Sequence, residues 1–588
     1  MTTSSLRPLL LALALAFAGC LRLAADIRVA FLRPDGWNNI PHIHAYANDR
    51  PLPGCDNQEM RPVSGLTGWF VFTIPGTHDN YNIIFNNGGW AGGQTADFHA
   101  TDSRDRAFRC SGNAVSETDG TQVWAALDAP APEPPSEGDY IFHRPDSWAQ
   151  TPRIVAYKEK ELVRLPENRV IYEVFVRNFS PEGNFRGVEK QVQRLRDLGV
   201  DVIWLMPVQP GGREGMWGTY PSPYAIRDYK ALDSGYGGAD DFRRLVKAAH
   251  DAGMELWMDW VGNHTALDHH WVREHREYYK RNGSEIVHPF GWNDVYQLDY
   301  SNQALRAEMI DAMRYWVREF DIDGFRCDYA DGVPRDFWAQ ARKALAELKP
   351  SLAWLAESGG DGGNARLVSD NGPFDYNYAW AFRDKLAEFA SHGNVGTLRD
   401  LCRELFYDGA YTGKSRMVYL TNHDVVQDKG GTEDRLLGRR LEPLTVLEFT
   451  IYGMPLIYNG QEVRYSHGSV SLAEKTPVDW NSGDPRMTEL ITSLCRLKHS
   501  EPALRTGASR GELYTYSASS PDVFVYERRF GSESVVVMLN FGGSSVNFSV
   551  SDALPSEVYM DVFSGDSRSL AASGAFSLPA YGYAVYVK

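Results

Sequence analysis

Between residues 166 and about 500, short apolar runs alternate with amphipathic segments, and this alternation limits the possible folds more than any other feature of the chain. The runs are RVIYEVFV, VDVIWLMPV, MELWMDWV, IDGFRCDY, SLAWLAE, PFDYNY, RMVYLTNHD and MPLIYNGQE. Runs apolar on both faces suit parallel strands covered by helices. The segments near 187–198, 239–252 and 301–320 read as such helices. Eight βα repeats predict a (β/α)8 barrel over 166–504, a packed core that carries its chemistry at the C-terminal ends of the strands.

Those ends are rich in charge. In IDGFRCDYADG, Arg326 and Asp328 share one strand face while Phe325 and Cys327 take the other. Alone, such a pair is better explained by a structural ion pair. The other strands end at Asp259 with Asn263 and His264, at Glu357, and at Asn422, His423 and Asp424, so a barrel would gather acids, two histidines and an arginine at one mouth. Two carboxyls about 5 Å apart across a glycosidic bond perform retaining hydrolysis, one as nucleophile and the other as acid and then base. Arg326 would keep Asp328 ionised for that attack.

The 588 residues call for several domains. A net charge of −16 argues against nucleic acid or an anionic membrane as partner. The 16 Trp and 30 Tyr suit sugar rings or large cores equally. The start, MTTSSLRPLLLALALAFAGC, reads as an export signal over 1–20; Ala18-Gly19-Cys20 resembles a lipoprotein processing site, and Ala16-Phe17-Ala18 offers ordinary cleavage instead. The expectation is a cell-surface or secreted monomer, touching membrane only through Cys20. Cys55 and Cys110 could pair after export, whereas Cys327, Cys402 and Cys495 read as buried thiols. The Pro-rich LDAPAPEPPSEGD, 127–139, separates a module at 26–126 from the rest. Beyond it, Phe142, Trp148, Pro152, Ile154 and Tyr157 repeat Phe31, Trp37, Pro41, Ile43 and Tyr46 at an offset of 111, a partial copy too short for a core of its own within 127–165. The tail, 505–588, alternates with period two between Gly and Ser turns and predicts an antiparallel β-sandwich.

MDWVGNH, GFRCDYA, WLAES and YLTNHD resemble, in order, the four signature regions of the α-amylase family of glycoside hydrolases. The resemblance covers about 166–588. It implies Asp328 as nucleophile, Glu357 as acid/base and Asp424 as the third carboxylate that grips sugar hydroxyls. His264 and His423 match histidines that bond the sugar, Asp259 the acid supporting Arg326, and Tyr224 a tyrosine that stacks on the ring. DGWNNIPHIHAY, GWFVFTIP and YNIIFNNGGWAGGQTADF resemble starch-binding modules of the family-26 kind, β-sandwiches in which Trp37, His44, Tyr46 and Gln94 would meet the glucan. Trp37 and Tyr46 could equally be core residues.

Two departures stand out. Where many α-amylases have Lys-His, this chain has Asp331-Gly332, and the segment 261–300 is short for a large calcium-holding B domain. Asn263 remains a possible calcium ligand, and no metal is expected. His264, His269, His270 and His275 are close in sequence without the spacing of a zinc site. Trp217 and Tyr236 either line sugar subsites or pack a loop. The reading is an exported retaining hydrolase of α-1,4-glucans, starch and maltodextrins, acting endo. Its rivals are a maltodextrin- or cyclodextrin-specific hydrolase, a glucanotransferase, and a non-catalytic glucan-binding protein on the same fold.

Overall fold

The computed structural model describes residues 27–128 and 160–588, less short loop stretches of which the longest are 88–93, 359–365, 429–436 and 466–471. The leader with Cys20, most of the Pro-rich linker and the partial repeat lie outside the described residues. The chain forms two compact units, one up to Gly138 and one from Asp139 onward.

The N-terminal unit is two five-stranded sheets over a core of Phe31, Ile43, Phe85 and Phe108. Phe31 and Phe85 stack with centroids 4.1 Å apart. Along the strand Pro41–Ala47, Ile43 and Ala45 are buried while His42, His44 and Tyr46 take the outer face, as period two requires. A helix the sequence reading did not anticipate, Thr121–Asp128, ends the described part of this unit. Cys110 carries no disulfide, so the pairing with Cys55 is not made; Cys327, Cys402 and Cys495 are buried free thiols, as expected.

In the second unit eight parallel strands close a barrel: β1 (Ile171–Val174), β2 (Val202–Leu205), β3 (Glu255–Val261), β4 (Gly324–Asp328), β5 (Ala353–Ala356), β6 (Tyr376–Tyr378), β7 (Ser415–Val418) and β8 (Met454–Tyr458). Each falls in its predicted run, β7 starting one residue before it. The helices Ala239–Asp251 and Gln303–Phe320 also match their predicted segments. The single helix expected near 187–198 is two, Phe185–Glu189 and Val192–Leu198. Asn184 caps Gly187 N–H and starts the first helix early, the chain turns at Lys190–Gln191, and Gly199 at φ 106° stops the second.

Register fixes what points inward. Trp204 pairs with Trp257 and Trp257 with Gly324, so the two indoles fill the barrel floor beside Tyr376 and Tyr378. A Cβ on Gly324 would lie 2.7 Å from Trp257 Cδ1, which explains the glycine. Two residues further along each strand, the same face carries Asp259 opposite Arg326, then Asp328. The sequence therefore builds an apolar floor and a charged rim from one alternation.

The segment after β3 contains small two-stranded ladders, His264–Ala266 with Val295–Gln297 and Arg281–Asn282 with Glu285–Ile286, and short helical turns such as Trp271–Glu274. The tail is a six-stranded antiparallel sheet faced by a two-stranded one, the expected sandwich. Its Arg528, fully buried, donates to the carbonyls of Thr450, Ile451 and Arg505 and so fastens the sandwich to the barrel helices. No described helix is long and apolar enough to cross a membrane.

Candidate active site

At the C-terminal rim the barrel opens into a cleft of about 670 Å³ lined by Tyr224, His264, Asp328, Glu357, His423 and Asp424. Arg326 and Asp259 lie just beneath. The barrel residues read as catalytic or sugar-binding, Tyr224, Asp259, His264, Arg326, Asp328, Glu357, His423 and Asp424, thus lie together at one site.

Arg326 organises it. Its side chain is wholly buried. Nη1 donates to Asp259 Oδ1 (2.9 Å) and Asp328 Oδ1 (3.0 Å), and Nε donates to the Tyr378 hydroxyl (3.0 Å). Nη2 lies 3.0 Å from Glu357 Oε2, near enough for charge but out of line for a hydrogen bond. The rings of Trp204, Tyr224 and Tyr378 surround the guanidinium at 5.2–5.7 Å. A buried cation this well paired stays charged, and its pKa is raised despite its burial, chiefly by Asp259 and Glu357.

The carboxyls respond to burial and to that cation. Burial pushes Asp328 and Asp259 up to about 6 each, against the pull of Arg326. Burial lifts Glu357 further, to about 7, because Arg326 meets it less squarely and Asp328 and Asp424 add negative charge. Asp424 is held low: burial would raise it, but the His423 imidazolium and the Asn422 amide outweigh that. The site therefore separates one carboxyl that keeps a proton near neutrality from partners that release theirs.

His423 is the second hub. Burial opposes its charge, yet Asp424 and Glu173 raise its pKa well above the ordinary histidine value. Nδ1–H donates to Glu173 Oε1, and Nε2 lies 2.7 Å from the Tyr224 hydroxyl and 3.2 Å from Asp424 Oδ1. The Tyr224 hydroxyl donates to Asp259 Oδ2 (3.1 Å), closing a continuous network back to Arg326, and its ring stacks on His423 at 5.1 Å. His264 is the opposite case, lowered to about 4 by burial and hence neutral.

Glu173 and Tyr378 escaped the sequence reading. The signal for Glu173 was a lone acid inside the apolar run IYEVFV, where only an inward position at the mouth tolerates charge. The rim also presents exposed aromatics, Trp217, Phe290 and Trp292, whereas Tyr236 is buried against Phe185.

Asn263, the candidate calcium ligand, is buried, and its amide nitrogen faces His264 Nδ1 at 3.3 Å. Among the described residues no group of three or more His, Cys, Asp or Glu could hold a metal ion, so the donors present do not fit a calcium held by carboxylates. The histidines face different partners: His264 lines the cleft, His269 stacks on His270 and packs tilted against Trp271, and His270 and His275 meet Glu274 and Glu277.

In the N-terminal unit, His44 and Tyr46 stand side by side on the outer face with rings 5.2 Å apart, and Tyr46 donates to Asp97. Trp37 instead packs on Phe31 at 5.6 Å and on the core. Gln94 is exposed, bridging to Asn86.

Compared with known proteins, residues 140–297 and 287–489 match the family "Alpha amylase, catalytic domain", and residues 515–585 match "Maltogenic Amylase, C-terminal domain". The crystal structure of an α-amylase from Lactobacillus plantarum is 30% identical with a TM-score of 0.63, over 72% of this chain and 99% of that one. That of a noncanonic maltogenic α-amylase from Thermotoga neapolitana is also 30% identical, with a TM-score of 0.61, over 72% and 96%. An α-amylase of Haloarcula japonica is 27% identical over 427 residues, 69% of this chain but only 60% of that protein's length.

Proposed function

The chain belongs to the α-amylase family of glycoside hydrolases, and on that premise we propose that it is an exported, endo-acting α-amylase cleaving α-1,4-glucosidic bonds of starch and maltodextrins with retention of configuration. The observation that carries this reading is the single buried guanidinium of Arg326, in contact with Asp259, Asp328 and Glu357 at the floor of one cleft. Asp328, ionised by its bond to Arg326, attacks the anomeric carbon, while Glu357 protonates the departing oxygen and then draws a proton from water. Asp424 accepts from sugar hydroxyls, and the His423 imidazolium and neutral His264 bond the same ring. Tyr224, held by Asp259 and His423, supplies a flat face for it.

The outer-face pair His44 and Tyr46 supports assigning starch binding to residues 26–126, and the leader supports export, with Cys20 as a possible lipid anchor. The net charge of −16 suits a neutral glucan and disfavours nucleic acid. The test is chemical. Asp328→Asn and Glu357→Gln should each lower turnover of maltopentaose by several orders of magnitude with binding retained. NMR of the first products should give α-anomers, since two inversions restore configuration. Near-parental turnover in either variant, or β-anomers first, would overturn the assignment.

A further inference from the structure

Glu173 lines no part of the cleft, yet it lies directly under its charged rim. It is fully buried on β1, two residues beyond Ile171, which belongs to the barrel floor, so its side chain also points inward. Oε1 accepts from His423 Nδ1–H, and Oε2 finds no hydrogen-bond partner among the described residues. A carboxylate shut away from water in this manner is stable only beside a cation. The cation bonded to it is the His423 imidazolium.

The imidazole has one pose. Trp204 meets it edge-on at 6.1 Å and Tyr224 stacks on it at 5.1 Å, which fixes the ring plane. The titratable groups facing it are Glu173 from β1, Asp424 from its own helix and Tyr224 from the loop after β2, with Asp259 of β3 and Arg326 of β4 behind Tyr224. Nδ1 is committed to Glu173, so the state of the ring is decided at Nε2. Protonated there, it donates toward Asp424 and to a sugar hydroxyl; in the neutral ring the remaining proton stays on Nδ1, and Nε2 turns a lone pair toward the Asp424 carboxylate. Burial opposes the charge, and Asp424 and Glu173 together outweigh it. The two acids are not equivalent. The Asp424 side chain is 31% exposed and opens to the cleft, where solvent screens it and sugar hydroxyls share its lone pairs. Glu173 is out of reach of both.

Resting on the reading of Asp328 as nucleophile and His423 as a sugar contact, we propose that Glu173 is a positioning residue for the reaction: from beneath the cleft it keeps the proton on His423 Nε2, so that the ring goes on donating to the sugar at the cleaved bond through neutral and alkaline pH. Glu173 thereby does from the barrel interior what no residue of the cleft wall can do once substrate has engaged Asp424.

The test needs a substrate whose cleavage does not wait on the Glu357 proton, because that group's own titration at about 7 would mask the effect on maltopentaose. α-Maltosyl fluoride expels fluoride without a proton donor, and its kcat/KM reports only the steps up to that loss. In the parent, kcat/KM on the fluoride should rise with ionisation of Asp328 and then hold level to about pH 9. Glu173→Gln keeps the shape and still accepts from Nδ1–H but lacks the charge. Its deficit against the parent should be about twofold at about pH 6, where a histidine with Asp424 alone still carries its proton, and about tenfold or more at about pH 8.5, the worth of one charge-assisted hydrogen bond. In 15N NMR of imidazole-labelled protein, His423 should titrate along the same limb in the variant and stay charged in the parent. A deficit of equal size at both pH values would overturn the proposal, because it would make Glu173 a packing residue. No deficit at either pH, or a His423 still charged at about pH 8.5 in the variant, would overturn it as well. A parent enzyme inert on maltosyl fluoride would instead refute the catalytic reading beneath it.

Discussion

Asp328 and Glu357 each lie 3.0 Å from one guanidinium, yet they are unequal, because only Asp328 takes a hydrogen bond from it. Activity requires Asp328 ionised and Glu357 protonated. With the pair raised to about 6 and about 7, kcat/KM for maltopentaose should climb through pH 6 and fall through pH 7, a narrow bell whose limbs belong to the coupled pair. An optimum below pH 5 would show that water in the cleft cancels the burial. The same shift has a stability consequence. A carboxyl raised by burial binds its proton more tightly folded than unfolded, so its ionised form costs stability from the unfolded value near 4.5 up to about 7, where the cost is complete. Glu357→Gln removes that charge and should raise stability by ~1–3 kcal/mol at pH 8, with little gain at pH 4, in paired thermal melts. The sequence made Asp328, Glu357 and Asp424 legible because each lies at or beyond the C-terminal end of an apolar strand run, Asp424 in the helix His423–Asp428 that follows β7. It did not reveal that the charge of His423 depends on Glu173, since nothing in the chain marks a contact between residues 250 positions apart.

At the scale of elements, all eight strands were readable because burial on both faces leaves an apolar run that period and length identify. What escaped was conditional on neighbours. The break at Lys190–Gln191 depends on a cap at Asn184, and the left-handed Phe290 and Tyr329 depend on rings that meet only in the fold. Gly332 tests that dependence. Gly332→Ala alone, with a Cβ 2.3 Å from Cδ1 and Cε1 of the Tyr329 ring, should force Tyr329 aside and lower both the melting temperature and maltopentaose turnover, whereas in a Tyr329→Gly background the same change should cost clearly less, since only the contact with Asn263 Oδ1 at 2.6 Å remains. Additive losses would mean that the ring and the glycine are unrelated. The short ladders after β3 bear on metal in the same way. With no group of three or more His, Cys, Asp or Glu among the described residues that could hold an ion, prolonged chelation should leave activity and melting temperature nearly unchanged, because an ion bound only to the folded state would otherwise stabilise it by mass action. A fall in melting temperature that added calcium reverses would point to a donor set built from backbone carbonyls.

For the whole molecule the question is which labour each unit performs, and the N-terminal sandwich allows it to be asked one side chain at a time. The sequence left Tyr46 and Trp37 open between core and surface; the strand Pro41–Ala47 turns His44 and Tyr46 outward by period two, whereas Trp37 lies on a loop that offers no period. It is partly buried, packed on Phe31 at the margin of the core. The three residues suggested together for starch therefore separate. His44→Ala with Tyr46→Ala should weaken adsorption to granular starch about fivefold or more, at about 1 kcal/mol per stacked ring, while kcat/KM on maltopentaose stays at the parental value because cleavage depends on the barrel mouth. Trp37→Ala should act through stability, lowering the melting of this unit by ~1–3 kcal/mol, with any loss of adsorption following the unfolded fraction. Adsorption unchanged in the double variant would remove starch binding from this face. A loss in Trp37→Ala at full folding would return Trp37 to the binding surface, and equal losses on granules and maltopentaose would mean that the sandwich serves the catalytic cleft itself.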